Sequence, residues 1–155
     1  MNMKLLSILG TFIAVVLLTL SCSCTGENII QVPIKIRNAT DVGAVWFELV
    51  YDPNVLAATE VRADELSSGA ESGYNADTPG RVFIAVQNAP LINGDGILVK
   101  AYFKVLDNAG TSTLTLENIQ ARNGVTLDYV DAQSSSGNFA AADMIVTAPV
   151  IDFSQ

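Results

Sequence analysis

After Thr25 the chain alternates apolar and polar residues with a period of two, and no stretch sustains the 3.6-residue period of a helix. Residues 30–37 alternate cleanly and end at the turn-forming cluster Asn38-Ala39-Thr40-Asp41. Residues 45–51 predict a second strand, stopped by Asp52-Pro53-Asn54, because Pro53 cannot donate to a ladder and restricts Asp52 before it. Residues 56–61 predict a third. Residues 65–80 are rich in Ser, Gly, Asp and Pro and read as a loop with a short strand near Tyr74. Strands are then expected at 81–87, at 97–106 after the turn Asn93-Gly94-Asp95-Gly96, and at 111–120 after Asp107-Asn108-Ala109-Gly110. Weaker strand patterns follow at 124–128 and 135–141. Short strands at roughly ten-residue spacing are the signature of an all-β sandwich in a single domain.

The alternation also assigns faces. In the second strand Phe47, Leu49 and Tyr51 point one way and Ala44, Trp46, Glu48 and Val50 the other. The first set is large and apolar and predicts the core face, which leaves Trp46 outside. In the strand at 81–87 either set is apolar, Val82, Ile84 and Val86 or Phe83, Ala85 and Gln87. The set ending in Gln87 is the better outward candidate, so Phe83 joins Trp46 on an outer face. An exposed aromatic pair is a candidate binding patch, with cover by a loop or tail as the alternative.

The N-terminus changes the picture of where this sandwich works. Lys4 precedes residues 5–20, a run of 16 residues without charge. It is short for a membrane span of about 20 residues and fits the basic and apolar regions of an export signal. Both cysteines, Cys22 and Cys24, follow directly, and none occurs later, so the folded part has no disulfide. Leu18-Thr19-Leu20-Ser21-Cys22 resembles a lipoprotein box, in which cleavage precedes a Cys that then carries lipid. An ordinary secretory signal cleaved near 22–25, or an uncleaved anchor, are the alternatives, and all three place the rest outside the membrane. The expected organisation is a signal peptide at 1–21, a tether at 22–27, the sandwich at 28–141 and a C-terminal tail at 142–155 that adds an edge strand.

Charge and missing residue types exclude several functions. Cleavage before Cys22 removes Lys4 and leaves seven basic against 16 acidic residues, which argues against nucleic acid as a partner. The chain has no His, so Ser-His and Cys-His nucleophilic sites and His-ligated zinc are excluded. No phosphate-binding Gly-rich loop occurs. Most acids stand singly in turns (Asp41, Asp52, Asp95, Asp107, Asp128, Asp131), where capping explains them. No EF-hand pattern surrounds Asp95. No catalytic constellation, cofactor motif or metal site is read.

Two stretches carry a resemblance. Residues 42–56, Val-Gly-Ala-Val-Trp-Phe-Glu-Leu-Val-Tyr-Asp-Pro-Asn-Val-Leu, alternate into Tyr51-Asp52-Pro53 and then Val55-Leu56. Residues 94–105 run from Gly94-Asp95-Gly96-Ile97-Leu98 into Phe103-Lys104-Val105. Together with Val32-Pro33-Ile34-Lys35-Ile36-Arg37-Asn38-Ala39 as opening strand and turn, they resemble the cohesin family over about residues 28–141. The resemblance implies a jelly-roll β-sandwich of about eight to nine strands, non-catalytic and without a cofactor. It implies a protein partner of dockerin type bound on the sheet face around residues 44–50 and 81–88. The candidate partner-binding residues are Ala44, Trp46, Glu48, Phe83, Gln87 and Asn88, with Tyr74 as a companion aromatic for a carbohydrate partner. Typical cohesins offer polar residues where this chain has Ala44 and Trp46, and an acid where it has Gln87 or Asn88. Cohesins also begin with a strand before the one matching 30–37, and here only residues 23–27 separate Cys22 from it. The tail is expected to supply that missing strand, at an edge that tolerates Pro149. The wider superfamily includes carbohydrate-binding modules, so a polysaccharide partner stays open, as does a structural or adhesive lipoprotein of the cell surface.

Overall fold

The computed structural model describes residues 27–154, apart from the side chains of Asn88 and Ala89. The expected signal peptide at 1–21, the expected lipid site Cys22 and most of the expected tether at 22–27 lie outside the described residues. The described chain is all-β, with strands β1 (Ile29–Val50), β2 (Leu56–Ala63), β3 (Glu71–Asn75), β4 (Arg81–Val105), β5 (Thr111–Asn123), β6 (Tyr129–Val130), β7 (Ala132–Ser135), β8 (Gly137–Ala140), β9 (Ile145–Thr147) and β10 (Val150–Phe153). One 3-10 turn, Glu65–Ser67, interrupts them.

The two longest strands build both layers of the sandwich. The first halves of β1 and second halves of β4 pair at Ile34↔Val99, and their other halves pair at Phe47↔Ile84. One layer is therefore β2, β4, β1, β10 and β7 in order, and the other is β3, β4, β1, β5 and β6. β5 also pairs with β8, and β8 with β9. Alternate residues of both layers meet in one core, with Val32, Ile34, Ile36, Val45, Phe47, Leu49, Val82, Ile84, Val86 and Phe103 all buried. Tyr51 meets Phe103 edge to face, ring centroids 4.9 Å apart.

The alternation at 30–37 and at 45–51 belongs to one bent strand, not two strands around a turn. The register between β1 and β4 shifts at Ile36/Ala39, Ala39/Val42 and Val42/Ala44, a run of bulges that turns the corner. Asn38 and Asp41 sit there at φ 55° and 50°, a region that Asn and Asp tolerate better than other side chains. The amides left unpaired by the bend are taken up from β4. The Asn38 N–H donates to Asp95 Oδ1 and the Asp41 N–H to Asn93 Oδ1, both at 2.8 Å. The polar cluster at 93–96 thus holds a corner together. Residues 124–128, read as a weak strand, form a turn instead, and the pattern at 135–141 divides between β7 and β8.

The tail also differs from the expectation. It holds two strands, and β10 is not at an edge. β10 runs parallel to β1 with Lys35↔Val150 and antiparallel to β7 with Val150↔Ser135, so it lies between them. Val150, Ile151 and Phe153 are buried with the core, because both flanking strands and the opposite layer cover them. Pro149 costs no ladder bond there, since it precedes the strand and its carbonyl accepts from the Lys35 N–H at 3.1 Å.

The 3-10 turn is pinned to β4 by Asp64 and Ser67. Asp64 Oδ1 accepts from the Glu65 N–H at 2.8 Å, and the fully buried Ser67 hydroxyl donates to the Leu98 carbonyl. Lys100 Nζ lies 2.6 Å from Asp64 Oδ2. The Lys100 ammonium, and then the Glu65 amide, hold the Asp64 carboxyl below its ordinary value. A carboxylate with a lowered folded pKa contributes stability above its unfolded pKa, and this is lost as pH falls through the folded value. We expect Asp64→Asn to destabilise the domain at pH 7 and the difference from the wild type to shrink below about pH 4, as read by urea midpoints at both pH values. An unchanged difference at low pH would count against the ion pair. Ser67→Ala is expected to lower stability by about 1–2 kcal/mol in the same assay.

Candidate docking face

The outer face of the layer β3-β4-β1-β5 carries the residues singled out from the alternation. Register places three rows across it: Glu71, Gln87, Ala44 and Arg122; Gly73, Ala85, Trp46 and Gln120; Asn75, Phe83, Glu48 and Glu117. Phe83 is 44% exposed and Trp46 is half-buried. They are diagonal neighbours on adjacent strands, since Trp46 pairs with Ala85 and Phe83 with Glu48. Ala85 and Gly73 beside Trp46 carry little or no side chain, so the indole stands next to a low stretch of sheet. Such a combination of ring and recess suits contact with another surface better than solvation.

Of the expected contact residues, the fold brings Ala44, Trp46, Glu48, Phe83 and Gln87 onto this one face. Tyr74 is not among them. It pairs with Ile84, whose side chain enters the core, so Tyr74 projects to the opposite side of the sheet from Phe83. Its hydroxyl donates to the Thr59 carbonyl of β2 at 3.4 Å. The strand near Tyr74 was legible, but its phase was not, because residues 71–75 are all exposed and carry no apolar alternation. The backbone of Asn88 continues β4, and its side chain lies outside the described residues.

Glu48 is not a free acid. Arg81 Nη1 bonds Glu48 and also lies 3.0 Å from Glu117 Oε2. Asn118 Nδ2 donates to Glu48 Oε1 at 3.2 Å. A register shift between Trp46 and Glu48 on the β5 side and a φ of 51° at Asn118 turn that amide toward the carboxylate. The Arg81 hydrogen bond, then that of Asn118, holds the Glu48 carboxyl below its ordinary value, and Glu48 raises the Arg81 guanidinium in return. Trp46 and Phe83 are therefore bordered by a cluster in which one guanidinium serves two carboxylates, leaving one net negative charge.

The structure adds a second apolar element that the alternation did not reveal. A groove of about 310 Å³ opens at the corner end of the same face, lined by Ala44, Gln87, Leu91, Arg122 and Leu127 over Gly43 and Gly124. Its floor depends on glycine: a Cβ at Gly124 would stand 2.2 Å from Leu91 Cδ2 and 3.0 Å from Gly43 Cα. The turn beside it presents Val125, Leu127 and Tyr129 at 65%, 67% and 64% exposure. Asn123 holds this turn, its Oδ1 accepting from the Val125 and Thr126 N–H groups at 2.8 and 2.9 Å. Leu127 sits at φ 65°, a strained region for Leu, with its N–H donating to the Asn123 carbonyl at 3.1 Å. The Arg122 guanidinium lies 4.5 Å over the Tyr129 ring and donates to its hydroxyl at 3.0 Å. The hydrogen-bonded turn thus holds three large apolar side chains exposed beside the groove. The available signal was the pair Val125 and Leu127 in Gly124-Val125-Thr126-Leu127-Asp128, which the alternation read as a strand.

Among the described residues no group of three or more acidic side chains lies close enough to hold a metal ion. Asp95, Asp52 and Asp107 bond backbone amides instead, at 2.8, 2.8 and 2.9 Å.

Comparison with known proteins agrees with this geometry. Solved structures that superpose on the chain include a non-cellulosomal cohesin from the hyperthermophilic archaeon Archaeoglobus fulgidus, with TM-score 0.58, 24% identity, and 82% of this chain and 80% of that one covered. The sixth cohesin of scaffoldin B from Acetivibrio cellulolyticus, solved in complex with a mutant Cel5 dockerin, superposes with TM-score 0.59 and 14% identity over 80% of this chain and 86% of that one. The cohesin module of a family 33 glycoside hydrolase from Clostridium perfringens does so with TM-score 0.56 and 15% identity, covering 81% and 97%. At these identities the likeness is one of fold. No curated protein matches the chain significantly. The sequence profile described as the cohesin domain matches residues 21–138, most of the chain, and with that match the bent β1 and β4 pair, the Tyr51-Asp52-Pro53 stop and the two-layered sandwich have one explanation: this chain belongs to the cohesin family.

Proposed function

We propose that the chain is a non-catalytic docking module that holds a protein partner of dockerin type on the outer face of β3-β4-β1-β5. The observation that carries this is the exposed Phe83 beside the half-buried Trp46 at one end of the face, with the groove between Leu91 and Leu127 at its other end. Cohesins of this fold have been solved in complex with dockerins, which supports the partner class. The contacts differ from those of a polar cohesin face, so the partner's matching surface is expected to be more apolar. We place the module outside the cell, held at the surface by lipid on Cys22 after removal of residues 1–21, with a secreted form as the alternative. The support is the uncharged run at 5–20 ending at Cys22.

The test is titration calorimetry of the chain against purified dockerin modules from its own genome, beside retention on polysaccharide films. Saturable binding to a dockerin supports the proposal. Retention on glycan alone would overturn it in favour of a carbohydrate-binding role. For localisation, lipid on Cys22 would appear as a mass shift lost in Cys22→Ser, and an unshifted secreted chain would remove the anchor. We also expect Gly124→Val to weaken binding by tenfold or more while the sheet remains folded by circular dichroism. The added side chain would fill the groove where Leu91 Cδ2 already lies 2.2 Å from the Cβ position.

A further inference from the structure

Arg122 lines the glycine-floored groove and, among the described residues, makes no ion pair. We infer that Arg122 is the specificity-determining residue of the docking face: it receives a carboxylate of the partner, while an aliphatic side chain next to that carboxylate fills the groove. The inference rests on the docking role proposed above and adds the chemistry of the partner.

Three features carry the inference. The first is a cation without a carboxylate in an acidic chain. The sequence holds 16 acidic residues against eight basic ones, and Arg62, Arg81, Lys100 and Lys104 each pair with a carboxylate. Arg122 pairs with an aromatic ring instead. Its guanidinium lies 4.5 Å over Tyr129, and Nη2 donates to the Tyr129 hydroxyl at 3.0 Å. Register explains this contact, since Arg122 and Tyr129 are opposite each other across β5 and β6. A guanidinium has five N–H donors, so that one bond leaves a fork of donors for a carboxylate. The ring holds the fork in place before a partner arrives, which lowers the ordering cost of binding.

The second is the groove itself. Gly43 and Gly124 approach so closely that a Cβ on Gly43 would stand 2.6 Å from Gly124 Cα. The space their missing side chains leave is flanked by Leu91, Leu127 and Ala44, a lining that favours an aliphatic side chain over a charged one. Arg122 and Gln87 add polar groups beside it. An occupant therefore needs an apolar group and a hydrogen-bond acceptor close together. The third is the polarity of the face. Along β5, Arg122 stands about 16 Å from Glu117, five residues away. There Arg81 serves both Glu48 and Glu117, and one net negative charge remains. A partner's acid is repelled at that end and attracted at the groove end, so the charges fix which way the partner lies.

The test selects a random-peptide display library on the immobilised protein and on its Arg122→Gln variant. Arg122 is exposed, so the variant keeps the fold. Peptides from the wild type are expected to be rich in Asp or Glu close to Leu, Ile or Met, and those from the variant to lose the acid. A synthetic peptide of the wild-type set should bind Arg122→Gln about tenfold more weakly or worse. Its affinity should fall with added salt in the wild type and hold steady in the variant. Gly124→Val fills the groove and should abolish its binding. Arg37→Gln removes an exposed cation of the other layer and should change nothing. Three results would each overturn the inference: peptides equally acidic on both proteins, acidic peptides that still bind Arg122→Gln or are lost equally in Arg37→Gln, or no selectable peptide at all. The readout involves no dockerin, so its failure leaves the docking role to the dockerin titration, and a failed titration leaves the Arg122 result standing.

Discussion

Removing residues 148–155 is expected to lower the melting temperature by about 15 °C or more, or to leave the chain unfolded. The truncation strips Val150, Ile151 and Phe153 from the core. Full burial of each such side chain is worth about 1.5–3 kcal/mol, so the apolar loss from the three is about 5–9 kcal/mol. That is comparable to the whole stability of a domain, about 5–15 kcal/mol. The damage goes further, because β10 pairs on both sides. Its removal leaves β1 and β7 with open edges that face each other across an empty slot, and water must enter beside Ile36. Ile151→Ala separates side-chain loss from strand loss and should cost about 2–5 kcal/mol. Thermal melts followed by circular dichroism decide the matter. A truncated chain melting within a few degrees of the full one would show that β10 contributes little to stability.

Trp46→Ala carries the second large effect. In the proposed docking role it should weaken partner binding by about thirtyfold or more, the scale of a central aromatic hot spot. Trp46 is half-buried on the outer face between Ala85 and Gln120, outside the core. Its removal should therefore move the melting temperature by only a few degrees. Phe83→Ala, from the diagonal position, should weaken binding in the same direction by less. Calorimetry with the cognate dockerin reads both. Unaltered affinity in Trp46→Ala, with tight binding retained, would move the contact surface to the groove at Leu91 and Leu127 or off this face.

Much of this architecture could be read from the alternation. The core phases at 45–51 and 81–87 were legible because one set of residues is continuously large and apolar while the other holds Glu48 or Gln87. The Tyr51-Asp52-Pro53 stop was legible because its chemistry is local: Asp52 Oδ1 accepts from the Asn54 N–H at 2.8 Å. Tyr74 was misplaced because its strand has no apolar phase and takes its direction from β4. The groove went unseen for a related reason. It joins Gly43, Leu91 and Gly124, which are distant along the chain, and its depth depends on two glycines approaching each other.

The sequence by itself determined the fold class, the cohesin relationship, the residue types the chain lacks and which side of each central strand faces inward. These follow from side-chain period, turn chemistry and residue inventory, all of which act within a few residues. Tertiary structure alone decided that 38–41 is a corner and not a turn, that Arg81 neutralises Glu48, and that β10 is an interior strand. Each depends on which distant segment supplies the partner: Asn93 and Asp95 for the corner amides, Glu117 and Asn118 for the charge cluster, β1 and β7 for the tail. Local pattern says that a strand needs a neighbour, but only the folded chain says which one it finds.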